Sequence, residues 1–150
     1  MEYSVVVTAH NVGAYISETL KSVGLLEESR YEILIFNDKS TDDTSKKIAQ
    51  FAESKKNVSV INCSYGYPGA VRNEGLKKAT GEYIFFLDGD DAFDPNVFSV
   101  IDKYLRNSTD MPDIITFDWV LDAFSRNKDN RETICQNDIH TVSSTVWNSV

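Results

Sequence analysis

The chain has 150 residues, of which 41% are hydrophobic, and this is enough for one domain with a real core. Its formal net charge of -8 disfavours nonspecific nucleic-acid binding and a polybasic membrane surface, because no surplus of Lys and Arg exists to attract phosphate. The sequence lacks a signal-peptide pattern and any run near the ~20 apolar residues of a membrane span, and we interpret Cys63 and Cys135 as reduced thiols.

Strands and helices alternate along the first part of the chain. Runs of β-branched and aromatic residues predict strands over 3–9, 31–36, 58–61 and 83–88. Apolar residues at helical spacing predict helices over 14–26, 40–53, 70–79 and 96–105. This alternation predicts an α/β fold with a mostly parallel sheet flanked by helices and joined by right-handed crossovers.

The last third is less regular. A strand is predicted over 114–117, continued over 119–124 or turned into a hairpin that returns over 132–135. A further apolar pattern starts at Thr141 and has no helix-end signal before residue 150. We therefore expect a domain over residues 1–150 that is truncated before its second half.

Three carboxylates follow the predicted strand over 83–88, which we interpret as buried on both faces. Asp88, Gly89, Asp90 and Asp91 come where ligands bind in open parallel sheets, just beyond the carboxyl end of a strand. Crowded carboxylates repel one another, and oxygen ligands suit Mg²⁺ or Mn²⁺. The turn predicts a metal-diphosphate site; the alternative is a polar turn in which Asp94 caps the next helix.

Further candidates follow the first two strands and lie in the third helix. The ring of His10 could stack on a nucleobase, and Thr8 or Asn11 could hydrogen-bond to it, although His10 could instead be merely exposed and Asn11 a helix cap. Asp38 could accept a hydrogen bond from a base or ribose, or only cap a helix. Arg72 offers a planar fork for diphosphate oxygens or a base edge, or is a solvated surface residue.

Together these segments resemble the family 2 glycosyltransferases of the GT-A fold. The resemblance is carried by four motifs that stand in order: VVVTAHN at 5–11, IFNDKSTD at 35–42, AVRNEG at 70–75 and GEYIFFLDGDD at 81–91. It covers residues 3 to 105 strongly. It implies an inverting enzyme that transfers a sugar from a nucleotide sugar to a glycan or carbohydrate hydroxyl, as in bacterial surface polysaccharide synthesis. The expected donor is a UDP-sugar.

The resemblance also implies roles for single residues. His10 stands where the family usually has a Tyr that stacks on uracil, and Thr8 and Asn11 flank it. Asp38 stands where an Asp contacts the base imide, and Arg72 where an Arg supports the base or diphosphate. Contacts to the sugar are expected from the loop over 65–69.

The family's D-x-D motif corresponds to Asp88-Gly89-Asp90. Its first Asp usually faces the ribose or sugar, and Asp90 or the neighbouring Asp91 is expected to bind Mn²⁺ or Mg²⁺. Family members place the catalytic base in the half beyond residue 150, so we assign no catalytic residue in this chain. Three residues depart from the family pattern: Ala9 replaces a usual Ser or Thr, His10 replaces a Tyr, and Asn37 replaces an Asp.

Two other functions remain open from the sequence. A non-catalytic nucleotide-sugar-binding fragment would fit the missing base. A haloacid-dehalogenase-like phosphatase would fit the apolar strand and D-x-D, but no later acidic pair completes its Mg²⁺ site. The expected partners are a nucleotide-sugar donor and a glycan acceptor, with no nucleic acid, and the expected location is the cytoplasm, including the inner face of the membrane.

Overall fold

The computed structural model of the chain describes residues 2–109, 112–117 and 139–141. It divides the chain into two compact units, Met1–Pro95 and Asn96–Val150. The first unit alternates strands and helices in the order β1 Tyr3–Ala9, α1 Ile16–Gly24, β2 Tyr31–Asp38, α2 Thr44–Ala52, β3 Val58–Cys63, α3 Pro68–Lys78 and β4 Tyr83–Asp88.

The strands of the first unit form one parallel sheet in the order β3-β2-β1-β4. This confirms the predicted α/β architecture. Thr8 pairs with Asp88 and Ala9 with Asn37, so the carboxyl ends of the strands that carry the candidate residues meet at one end of the sheet.

The core is built on the two interior strands. Val5, Val6 and Val7 of β1 are fully buried, because β1 has a strand on each side and helices pack on the sheet. On one face, Val71 of α3 joins Val6, Leu34 and Phe36 in a hydrophobic cluster. This packing fixes α3, and with it Arg72, against the sheet.

The strand β4 differs from the expectation of burial on both faces. It lies at the edge of the four-stranded sheet in the described residues, and Phe86 is 40% exposed. An apolar run indicates a strand but not which neighbours it has, because burial depends on segments distant in sequence.

The starts of two helices also differ from the predictions. The helix α1 begins at Ile16 and buries Ile16, Leu20 and Val23 as predicted, whereas Tyr15 precedes it and is exposed. The helix α2 begins at Thr44, so its predicted start at residue 40 is wrong, and Ser40 and Thr41 precede it. The reason is that these residues form a loop that bonds to the loop after β1.

The second unit contains the helix α4 Val97–Asn107 and the strands β5 Ile115–Phe117 and β6 Ile139–Thr141, which pair antiparallel. Phe98 and Ile101 are buried on α4. Asn96, not Asp94, occupies the N-cap position of α4. The predicted strands over 119–124 and 132–135 lie outside the described residues.

Among the residues that the structure describes, no helix is both long and apolar enough to cross a bilayer.

Candidate functional site

A cleft of about 370 Å³ lies in the first unit, at the carboxyl ends of β1, β2 and β4. Its walls include backbone and side chains from the loops after β1 and β3 and from the acidic turn. It is lined by Thr8, Ala9, His10, Val12, Asp38, Gly66, Tyr67, Pro68, Val71, Asp88, Gly89 and Asp90. Of the predicted site residues, Asn11, Arg72 and Asp91 do not line it.

The carboxylate of Asp88 is held by donors from two other elements. The Thr8 hydroxyl donates to its Oδ1 at 2.8 Å. The Arg72 guanidinium donates through Nη2 to Oδ1 at 2.6 Å and to Oδ2 at 2.9 Å. Arg72 was predicted to support a base or diphosphate; in the structure it fixes the orientation of the Asp88 carboxylate.

Gly89 is enclosed by the end of β1 and the helix α1. Its N–H donates to the Thr8 carbonyl at 2.8 Å, and its carbonyl accepts from the Thr19 hydroxyl at 2.8 Å. A Cβ at this position would lie 2.8 Å from the Thr8 carbonyl oxygen and 2.9 Å from Val12. The middle position of D-x-D therefore has no room for a side chain.

Asp90 and Asp91 are exposed in the turn after β4. Partial desolvation, followed by the negative charges of Asp90 and Asp88, raises the pKa of Asp91. Within the described ranges, no group of three or more His, Cys, Asp or Glu side chains could share a metal ion. Asp90 and Asp91 are the exposed carboxylates of this turn, and Mg²⁺ usually takes only one or two protein carboxylates and completes its shell with water and phosphate oxygens.

Asp38 connects two loops of the cleft. Its carboxylate is 6% exposed and accepts the N–H groups of Tyr65, at 2.7 Å, and Gly66, at 2.8 Å. Its backbone carbonyl accepts from Nδ1 of His10 at 2.6 Å. The sequence indicated Asp38 as a ligand contact or helix cap, and its binding of the loop after β3 was missed because that loop is distant in sequence.

His10 and Asn11 form a small network at the rim. Since the Asp38 carbonyl can only accept, His10 carries a proton on Nδ1, and its Nε2 lies 3.3 Å from Nδ2 of Asn11. The Asn11 Oδ1 accepts from the Thr41 N–H at 2.7 Å, and the Asn11 N–H donates to the Ser40 hydroxyl. Asn11, at φ 51°, therefore braces His10 and the next loop and does not cap α1.

A second set of bonds ties the loop after β1 to the start of α2. The Asp42 carboxylate accepts the N–H groups of Gly13 at 2.9 Å and Thr44 at 3.0 Å. The Thr44 hydroxyl accepts from the Val12 N–H at 3.0 Å, and Lys47 Nζ donates to the Gly13 carbonyl at 2.7 Å. Hydrogen bonds from Thr44 lower the pKa of Asp42, which keeps this carboxylate charged. The cleft wall that carries His10 is thus anchored on two sides.

Comparisons with known sequences give a consistent result. The family model described as Glycosyl transferase family 2 matches residues 4–143. The Poly(ribitol-phosphate) beta-glucosyltransferase of Bacillus spizizenii is 40% identical over 95 residues, which are 61% of this chain and 15% of that protein. The putative glycosyltransferase EpsH of Bacillus subtilis is 29% identical over 133 residues, which are 89% of this chain and 38% of that protein. The chain therefore spans only a minor part of these relatives.

Solved structures show the same fold. TarS 1-349 of S. aureus in complex with UDP-GlcNAc has a TM-score of 0.64 and 31% identity, over 71% of this chain and 31% of that chain. A mannosyltransferase of Pyrobaculum calidifontis in complex with GDP-Man and Mn²⁺ has a TM-score of 0.63 and 21% identity, over 72% of this chain and 33% of that chain.

Proposed function

Because the chain belongs to glycosyl transferase family 2, we propose that it binds a nucleotide sugar in the cleft and serves the transfer of its glycosyl unit to a glycan or carbohydrate hydroxyl. The observation that carries this proposal is the shared cleft itself. It brings together Thr8, His10, Asp38, Asp88 and Asp90, which come from three strand ends and supply the ring, acceptors and carboxylates that a nucleotide diphosphate needs. Family membership argues against the haloacid-dehalogenase-like alternative.

We propose a UDP-sugar as the donor. The support is the likeness to TarS of S. aureus at 31% identity, a protein whose crystal structures include complexes with UDP and with UDP-GlcNAc. This chain covers 31% of that neighbour's length.

Each side chain of the cleft then has a task. His10 offers its ring face to the base, and Asp38 offers oxygen lone pairs near it. Asp88, oriented by Thr8 and Arg72, accepts from hydroxyls of the ribose or the sugar. These contacts orient the donor so that its anomeric carbon is open to attack.

Asp90 and Asp91 would hold Mn²⁺ or Mg²⁺. When bound, this ion would neutralise the negative charge that develops on the departing diphosphate. Desolvation is the main cause of the raised pKa of Asp91, but the negative charges of Asp90 and Asp88 add to it, and a bound cation would relieve that repulsion. We further propose a single displacement with inversion, for which the catalytic base comes from residues beyond this chain, and a cytoplasmic site of action.

The experiment is calorimetric titration of UDP into the chain, with Mn²⁺ and with EDTA. We expect binding that requires metal and that weakens by about tenfold or more in Asp90→Ala. Glu82→Ala, which removes an exposed carboxylate at the opposite end of β4, is the matched control and should bind as the wild type. Absence of UDP binding both with Mn²⁺ and with EDTA would refute the proposal for this chain.

Turnover separates the enzyme from a donor-binding module. The chain spans 15% and 38% of the two curated relatives described above, so we expect slow release of UDP from UDP-sugars by this chain alone. Binding without any release would favour the non-catalytic nucleotide-sugar-binding fragment. Full activity without added sequence would contradict the assignment of the base to a later segment.

A further inference from the structure

Tyr67 is an aromatic residue of the cleft that the family motifs did not identify. It is 61% exposed and lines the same cleft as His10 and Asp38. Exposure of a large ring to water is unfavourable in free energy, since its apolar surface remains hydrated. A ring that stays exposed at the wall of a ligand cleft gains contact area once a flat ligand enters.

The backbone of Tyr67 is held in place before any ligand arrives. It has an extended conformation, φ -155° and ψ 146°, directly before Pro68, the first residue of α3. An extended conformation is the one that a residue before proline prefers. On its other side, Tyr65 and Gly66 are bonded through their N–H groups to the Asp38 carboxylate.

The side chain of Tyr67 contacts the backbone at Gly69, which has no side chain. A Cβ built on Gly69 would lie 3.3 Å from Cε2 and 3.4 Å from Cδ2 of Tyr67, so the edge of the ring lies against this glycine. Contact with Gly69 restricts the ring positions, although the residue as a whole stays 61% exposed. The ring is therefore partly preorganised, which lowers the entropy lost on binding.

Asp38 couples this ring to His10. The same residue receives the Nδ1–H of His10 on its carbonyl and the loop before Tyr67 on its carboxylate. Two rings on two loops are thus tied to one buried residue at the end of β2. The diphosphate-binding groups, Asp88 and Asp90, come from the different strand β4.

From this arrangement we propose that Tyr67 is a nucleobase-contacting residue that, together with His10, holds the base of the nucleotide in the cleft. The inference rests on the proposed function and extends it to a specific contact. Base-aromatic stacking of this kind tolerates many bases, because every base has a π-face. It assigns Tyr67 to the base, whereas the loop over 65–69 was expected to contact the sugar.

The test is titration of UMP, UDP, UDP-GlcNAc and pyrophosphate into the 150-residue chain and its variants in the presence of Mn²⁺. In Tyr67→Ala we expect roughly tenfold weaker binding of UMP, UDP and UDP-GlcNAc alike, and unchanged binding of pyrophosphate. Tyr67→Phe keeps the ring and should bind within about twofold of wild type.

Tyr65→Ala is the matched control. Tyr65 is 42% exposed in the same loop but does not line the cleft, and its N–H to Asp38 survives the substitution. We expect this variant to bind UMP, UDP and pyrophosphate, the three probes without a sugar, as the wild type does. Circular dichroism of each variant checks that the fold is retained.

Each other outcome is decisive. Unchanged UMP and UDP binding in Tyr67→Ala, with wild-type binding intact, would overturn the inference and leave the proposed function standing. A loss confined to UDP-GlcNAc would overturn it in favour of a sugar contact. Failure of the wild-type chain to bind any of the nucleotides would overturn the proposed function and this inference with it.

Discussion

Asp38 alters the chemistry of Cys63, which lies beside it on the neighbouring strand. The two residues are register partners on β2 and β3. Burial, then the negative charge of Asp38 and a hydrogen bond to it, raises the pKa of the Cys63 thiol to about 11. Since the thiolate is the reactive form, Cys63 is chemically quiet at neutral pH.

We predict that Asp38→Asn makes Cys63 more reactive towards iodoacetamide at pH 8.5. Removing the negative charge lowers the pKa of the thiol, and each unit raises the thiolate fraction about tenfold. The rate of alkylation at Cys63 is measured by peptide mass spectrometry. Asp88→Asn, a carboxylate of the same cleft that does not act on Cys63, is the control, and an equal rise in both variants would contradict the prediction.

The Arg72–Asp88 ion pair is expected to serve orientation more than stability. The side chains are 37% and 43% exposed, so water screens their attraction. A double-mutant cycle with Arg72→Gln and Asp88→Asn, measured by urea unfolding, should give a coupling free energy of about 1 kcal/mol or less. A coupling of about 3 kcal/mol or more would show that the pair is a main stabilising contact.

At the scale of elements, Glu32 joins three strands at the end of the sheet opposite the cleft. Its Oε1 accepts from the Ser4 hydroxyl of β1 at 2.5 Å and from the N–H and hydroxyl of Thr80, which precedes β4. The Gly81 N–H donates in turn to the Ser4 hydroxyl at 2.8 Å. These bonds fix where β4 begins against β1.

This network makes a pH-dependent contribution to stability. Burial opposes ionisation of Glu32, but hydrogen bonds from Ser4 and Thr80 outweigh it, and the pKa falls below its usual 4.5. A lowered folded pKa means that the stabilisation is present above pH 4.5 and is lost as the pH falls through the folded pKa. We predict that the difference in unfolding free energy between wild type and Glu32→Gln shrinks on acidification from pH 7 to pH 3.

Urea unfolding at several pH values measures this difference. Glu53→Gln, which changes an exposed glutamate at the end of α2, is the control and should track the wild type throughout. A gap between wild type and Glu32→Gln that stays constant over the range would contradict the prediction.

The elements themselves were predictable because their patterns are local. The β-branched run of β1 and the helical spacing of Ile16, Leu20 and Val23 need no knowledge of the rest of the chain. The edge position of β4 depends on which strands pair, and the late start of α2 depends on the contact of Thr41 with Asn11. Neither is encoded in a local pattern.

The site followed the same division. The rule that ligands gather at the carboxyl ends of parallel strands correctly grouped Thr8, His10, Asp38 and Asp88 at one cleft. The partners of Asn11 and Arg72 could not be predicted, since they come from segments distant in sequence. Tyr67 carries no motif signal, and only the cleft geometry identifies it.

At the scale of the whole molecule, the net charge of -8 governs contacts with large polyanions. Nonspecific affinity for nucleic acid comes from Lys and Arg that displace counterions from phosphate, and this chain has 15 such residues against 23 Asp and Glu. We therefore predict no binding of a fluorescent 20-nucleotide DNA, single- or double-stranded, in anisotropy titrations at 50 mM NaCl. Saturable binding that weakens steeply with salt would contradict this prediction.

The strand order β3-β2-β1-β4 also bears on how the chain folds during synthesis. Of the four strands of this sheet, β1 is made first and becomes an interior strand, yet its neighbour β4 emerges only after three helices and two other strands. Until then the backbone of Val5, Val6 and Val7 has one unpaired edge, which is an aggregation hazard for a nascent chain. The pairing of β4 with β1 also completes the cleft. An unfinished chain therefore has neither the fourth strand of its sheet nor a nucleotide site through which a ligand could stabilise it.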